Sequence, residues 1–141
     1  TAIAVEHGCD IVYVSNHGGR QLDHGRGGMD VLAECVAATD GKAKVVLDGG
    51  IMRGTDIVKA KILGADAVGI GRLQGFAYAA AGRPGVVRML ELLEIEVRTC
   101  LALLGVTNYA GLEAAHLYRE DAVVKMPHPI SAFPLLDEGY N

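Results

Sequence analysis

The chain has 141 residues, half of them hydrophobic and 21% charged, with a formal net charge of -4. That length fits one domain, and the balance excludes a disordered chain and argues against nucleic acid as a partner, which selects basic surfaces. No apolar run approaches the ~18 residues that span a bilayer, and the opening "TAIAVEHGCD" lacks the basic and apolar regions of a signal peptide.

In chain order, "AIAVEHG" reads as the end of a helix, and the threonine start implies a chain that begins within a longer protein or follows processing. Three short runs rich in valine and isoleucine follow, "CDIVYV" (9–14), "AKVVLD" (43–48) and "ADAVGIG" (65–71). Their successive apolar positions suit parallel strands buried on both faces. A glycine-bearing loop and a helical pattern come after each. The first helix is expected over about 29–39, ending at Asp40-Gly41. The second is expected over about 54–63, with Gly64 just past its end. Pro84 can open a third, longer helix. Its apolar stripe is Leu90, Leu93, Val97, Leu101 and Leu104, with Glu91, Glu96 and Arg98 off it, an amphipathic helix packed on a sheet. A short helix near 107–117 is expected next, and the prolines of the last twenty residues predict an extended arm.

The three cysteines, Cys9, Cys35 and Cys100, form neither a metal pair nor a disulfide framework. They read as buried thiols of a reducing compartment, which predicts a cytoplasmic protein. The 19 glycines indicate tight turns and close backbone packing.

The order βαβαβα leaves three parallel strands with two exposed edges. The chain is therefore expected to be part of a larger α/β body, completed by an upstream segment or by a second copy in a homo-oligomer.

Parallel strands would put three polar loops on one face, where α/β folds build their sites. The first loop is Ser15-Asn16-His17-Gly18-Gly19-Arg20, the second is Asp48-Gly49-Gly50, and the third is Gly71-Arg72. Two glycines, a following helix N-terminus and the Arg72 fork make a phosphate cradle. Asp48 could accept from a ligand or orient its own loop. Arg53 could reach the phosphate or stay solvated. His17 can take a proton near neutrality, and Arg20 matches a carboxylate. Together they point to proton removal beside an acid group.

"SNHGGRQLD" and "DGGIMRGTDIVKAKILGADAVGIGR" closely resemble the signatures of the FMN-dependent 2-hydroxy acid oxidases and dehydrogenases. That family includes glycolate oxidase, lactate oxidase, mandelate dehydrogenase and flavocytochrome lactate dehydrogenase. The resemblance covers about residues 1–117 and leaves 118–141 as the arm. It implies the C-terminal part, strands six to eight, of a (β/α)8 barrel. It implies oxidation of a small (S)-2-hydroxy acid to the 2-oxo acid, with FMN as acceptor and the N-terminal part of the barrel as partner. His17 would be the base, taking either the α-proton or the hydroxyl proton. Arg20 would bind the substrate carboxylate. Ser15 would touch the flavin. Asp48, Gly49, Gly50, Ile51, Gly71 and Arg72 would hold the ribityl phosphate. Where the family pattern often has the first of two arginines, this chain has Met52, so Arg53 would have to substitute for it. The alternatives are another phosphate-binding barrel similar to inosine monophosphate dehydrogenase, and a non-catalytic half-barrel.

Overall fold

The structure, a computed structural model, describes residues 1–21 and 24–118. Three parallel strands, β1 (Ile11–Val14), β2 (Lys44–Leu47) and β3 (Ala67–Val68), lie in the order β1-β2-β3. Val14 is level with Leu47, and Leu47 with Val68. The helices are α1 (Ala2–Glu6), α2 (Gly28–Thr39), α3 (Gly54–Ile62) and α4 (Arg72–Leu103).

Strand side chains alternate between two faces. Val12, Val14, Val45, Leu47 and Val68 point to the helical layer, where Leu32, Ala60 and Ala65 complete the core. Leu32 and Leu47 are fully buried. The other face carries Ile11 and Tyr13, which are 60% and 55% exposed. This corrects the expectation of strands covered on both faces. Helices cover one side only, as on the outside of a barrel whose interior is filled by side chains from all of its strands.

Outside the sheet, α3 packs on α4 through Val58, Val97 and Leu101. The buried face of α4 is Met89, Leu93, Val97 and Leu101, so Met89 takes the place expected of Leu90, which is exposed. The helix also begins at Arg72, well before Pro84. Ala81 (φ -152°) and Gly82 (φ 59°) break it, and Pro84 sits in the first turn after the break. Proline is tolerated there because that turn's N–H groups have no intrahelical partner. Over 107–117, two 3₁₀ turns, Tyr109–Gly111 and Ala114–His116, replace the expected helix. Asn108 caps the first of them by accepting from the Ala110 amide at 2.9 Å. Cys9 is exposed, while Cys35 and Cys100 are half-buried. The expected arm lies, beyond Tyr118, outside the described residues.

Two carboxylates tie the elements together. Asp66 joins the start of β2 to the start of β3, accepting from the Val45 amide at 2.8 Å and from Lys44 Nζ at 3.0 Å. Glu96, from α4, accepts from the Gly54 amide at 2.7 Å and from Arg53 Nε at 2.7 Å. Gly54 is required at this contact, since a Cβ there would stand 2.5 Å from the Glu96 Cβ and 2.6 Å from the Val97 nitrogen. The Gly54 amide bond is the main reason the Glu96 pKa lies below its ordinary value, and the Arg53 guanidinium adds to it against the opposing effect of burial.

A carboxylate whose folded pKa is depressed stabilises the fold fully above its unfolded pKa, ~4.3 for glutamate, and loses that contribution as pH falls through the folded value. Glu96→Ala should therefore cost about 1–3 kcal/mol near pH 7. The gap from wild type should shrink in urea melts below about pH 4. A gap of the same size at both pH values would reject this role.

Candidate active site

The register of the strands delivers their C-terminal ends to one level. After Val14 the chain leaves β1 in a turn held by its own side chains. Ser15 Oγ accepts from the His17 amide at 3.1 Å, and Asn16 Oδ1 accepts from the Gly18 amide at 2.9 Å. Such local bonds are what serine and asparagine offer a turn. Asn16 Nδ2 also donates to the Arg26 carbonyl at 3.3 Å, which draws the two ends of this long loop together. His17 adopts φ 52°, a left-handed conformation uncommon for a residue with a side chain. His17 Nδ1 is hydrogen-bonded to Gln21 Oε1. An amide oxygen is an acceptor, so this bond fits the tautomer with the ring proton on Nδ1, which leaves Nε2 to accept a proton.

After β2 come Asp48, Gly49 (φ 90°) and Gly50 (φ 79°). The two left-handed glycines turn the backbone out of the sheet. Their amides donate to no protein group among the described residues. By contrast, the Met52 and Arg53 amides donate to Asp56 Oδ2 at 3.1 and 2.9 Å, and the Gly54 amide is taken by Glu96. The N-terminus of α3 is thus capped by the protein's own carboxylates. It is not open to an exogenous anion, which corrects the expectation that this helix end serves the cradle.

After β3, Gly69 and Gly71 lead into Arg72 at the start of α4. The Arg72 guanidinium reaches back toward the first loop, where Nη2 lies 3.4 Å from the position a Gly18 Cβ would take. The three loops enclose a cavity of about 100 Å3 lined by His17, Gly18, the stretch Asp48–Met52, Gly69, Gly71 and Arg72.

Of the residues singled out from the sequence, His17, Asp48, Gly49, Gly50, Ile51, Gly71 and Arg72 meet at this cavity. Ser15 lies beside it but serves the turn, and Arg20 is exposed and outside the lining. Arg53 is directed away, with Nη2 paired to Glu96 Oε1 at 2.7 Å. Its partner in this structure is thus a carboxylate of the neighbouring helix.

Three contributors carried no local sequence signal. Glu96 acts across 42 residues, and the bond from Asn16 to the Arg26 carbonyl spans ten. Tyr13, in a strand, brings its hydroxyl to the position a Gly69 Cβ would take, beside Asp48. Asp48 Oδ1 is buried with no hydrogen-bond partner among the described residues. Burial, and then the negative charge of Asp48, hold the Tyr13 phenol above its ordinary pKa.

A larger cavity of about 680 Å3 lies in the crook of α4, lined mostly by apolar groups such as Leu73, Phe76, Ala80, Pro84 and Leu92. Size alone would favour it. It gathers no base and no phosphate cradle, so the smaller one is the candidate site.

The sequence profile of the family described as FMN-dependent dehydrogenase matches residues 1–119. The chain is 47% identical over 117 residues to an L-lactate oxidase of Nostoc sp., which covers 83% of this chain and 32% of that protein. It is 50% identical over 105 residues to 2-hydroxyacid oxidase 1 of Mus musculus, covering 74% of this chain and 28% of that one. Among solved structures, a mandelate oxidase with (S)-2-phenylpropionate superposes with a TM-score of 0.74 at 48% identity, covering 77% of this chain and 33% of that one. The chain thus spans about a third of the length of the relatives it matches. Its strands, helices and loops form one part of a (β/α)8 barrel. With the match running through all three loops of the cavity, the chain belongs to the FMN-dependent dehydrogenase family.

Proposed function

We propose that this chain is the C-terminal part of a barrel that oxidises a small (S)-2-hydroxy acid to the 2-oxo acid, with FMN as the electron acceptor. The observation that carries this reading is the meeting of a base, two left-handed glycines, an unpartnered carboxylate oxygen and an arginine around one cavity at the strand ends. The remainder of the barrel is the partner the reading requires. Ligand pockets usually measure ~300–1,000 Å3. About 100 Å3 accommodates a phosphate and its neighbouring hydroxyls, not a flavin ring and a substrate. The other walls come from strands that extend the sheet from its two edges and close it, so that their inward side chains meet Ile11 and Tyr13.

The residues present fit the cofactor. A Cβ at Gly50 or Gly71 would meet nothing within 4 Å, so ligand atoms can approach the backbone at both positions. The Gly49 and Gly50 amides and the Arg72 guanidinium suit the terminal phosphate. Asp48 Oδ1 is an acceptor in want of a donor, which a ribityl hydroxyl supplies. FMN, when bound, would supply the acceptor for the two electrons and one of the two protons released as the C–H and O–H bonds of the hydroxy acid become C=O. The chain's own part is to receive a proton at His17 Nε2, while Gln21 holds the ring at Nδ1. Arg20 engages the substrate carboxylate once the remaining walls turn the exposed loop inward.

In the assembled barrel, His17→Gln should retain flavin and slow its anaerobic reduction by a hydroxy acid by about 100-fold or more, within the range of general-base contributions. An unchanged rate would reject His17 as the base. Arg72→Met should weaken FMN binding about tenfold to a hundredfold, the scale of charged hydrogen bonds, while leaving riboflavin affinity unchanged. Equal loss for both ligands would reject the phosphate contact. Arg20→Met should raise the apparent KM for the acid and leave FMN binding untouched; an unaltered KM would reject the carboxylate contact.

A further inference from the structure

Tyr13 is used by neither the core nor the chemistry proposed above. It is the third residue of β1, on the face opposite the helical layer. Its ring is half exposed, yet its hydroxyl is lodged between two neighbouring strands. The Tyr13 oxygen stands only 2.1 Å from where a Gly69 Cβ would be, and that same point is 3.1 Å from the Asp48 Cβ. Only a residue without a side chain lets the phenol cross β2 and rest there. Residues of three adjacent strands thus converge on one point: the phenol from β1, Asp48 after β2, and the glycine that follows β3.

Asp48 lines the cavity, and its Oδ1 has no hydrogen-bond partner among the described residues. A carboxylate attached only through its Cβ can rotate. One fixed donor removes that freedom and decides which oxygen remains for a ligand. We infer that Tyr13 is a positioning residue for the cofactor, whose hydroxyl, seated over Gly69, holds the Asp48 carboxylate with one oxygen reserved for a hydroxyl of the polyol chain. This rests on the FMN reading of the cavity. Its distinct content is that a strand residue outside the cavity lining governs a cavity residue.

Two variants perturb the contact in different ways. Tyr13→Phe removes the donor and keeps the ring. Gly69→Ala keeps the donor and displaces it. Each should weaken FMN and riboflavin binding alike by about fivefold or more, because the contact is to the polyol and not the phosphate. The double variant should cost little more than either single one, since both break the same contact. In the 141-residue chain itself, NMR titration of ζ-carbon-labelled tyrosines, with Tyr13→Phe as the assignment, should show Tyr13 titrating above the ordinary ~10. Asp48→Asn should bring it down.

If Tyr13→Phe binds both flavins as wild type does, or its titration ignores Asp48→Asn, the inference is overturned. In the first case the FMN reading still stands, provided Arg72→Met discriminates FMN from riboflavin. If no flavin binds the assembled barrel, the reading of the cavity fails and the inference fails with it.

Discussion

The parallel register of three strands is the constraint on which everything else in this chain depends. Because Val14, Leu47 and Val68 share one level, the residues that follow each strand emerge together. A shift of one residue in any strand would exchange its core face for its open face. Val45 and Leu47 would leave the helical layer, and Asp48 would turn away from the cavity. The fully buried Leu47 and Leu32 therefore position the site as much as they stabilise the core. Glycine completes the arrangement where strand and helix meet most closely. A Cβ at Gly28, the first residue of α2, would lie 2.9 Å from both the Asp48 carbonyl oxygen and Leu47 Cδ1.

A second theme is how the chain distributes its backbone donors. Helix α3 starts right after the glycine turn, and in isolation its first amides could bind any anion. Here Asp56 and Glu96 take those of Met52, Arg53 and Gly54. What stays available is the Gly49–Gly50 turn, faced by Arg72 from the next loop. Internal carboxylates thus close one anion site and leave a neighbouring one open. The same Glu96 pairs with Arg53, so one acidic side chain on α4 both anchors α3 and engages the cation that precedes it.

Much of this was legible in the sequence because it is local. Valine-rich runs bounded by glycine located the three strands within a few residues. The clusters SNHGGR, DGG and GR already contained most of the groups that line the cavity. What escaped was set by contacts between distant residues. Arg53 looked equally suited to phosphate and to solvent until Glu96, 43 residues on, was found beside it. Tyr13 looked like one more apolar strand residue, because its hydroxyl has meaning only next to Asp48 and Gly69. The expected start of the long helix at Pro84 missed the stretch from Arg72, since a break at Ala81–Gly82 makes proline the opener of the second segment only. Strand faces were misjudged for a related reason. A barrel interior is as apolar as a helical layer, and the two are alike in a short run of valines and isoleucines.

The central claim is that the cavity serves flavin-dependent oxidation of a hydroxy acid when the barrel is complete. The most direct measurement is anaerobic addition of a small (S)-2-hydroxy acid to the FMN-loaded, assembled barrel, following the visible flavin band and the acid product together. The account predicts loss of the flavin colour with one 2-oxo acid formed per flavin. A bound flavin that keeps its colour while the panel of hydroxy acids is recovered unchanged would contradict it.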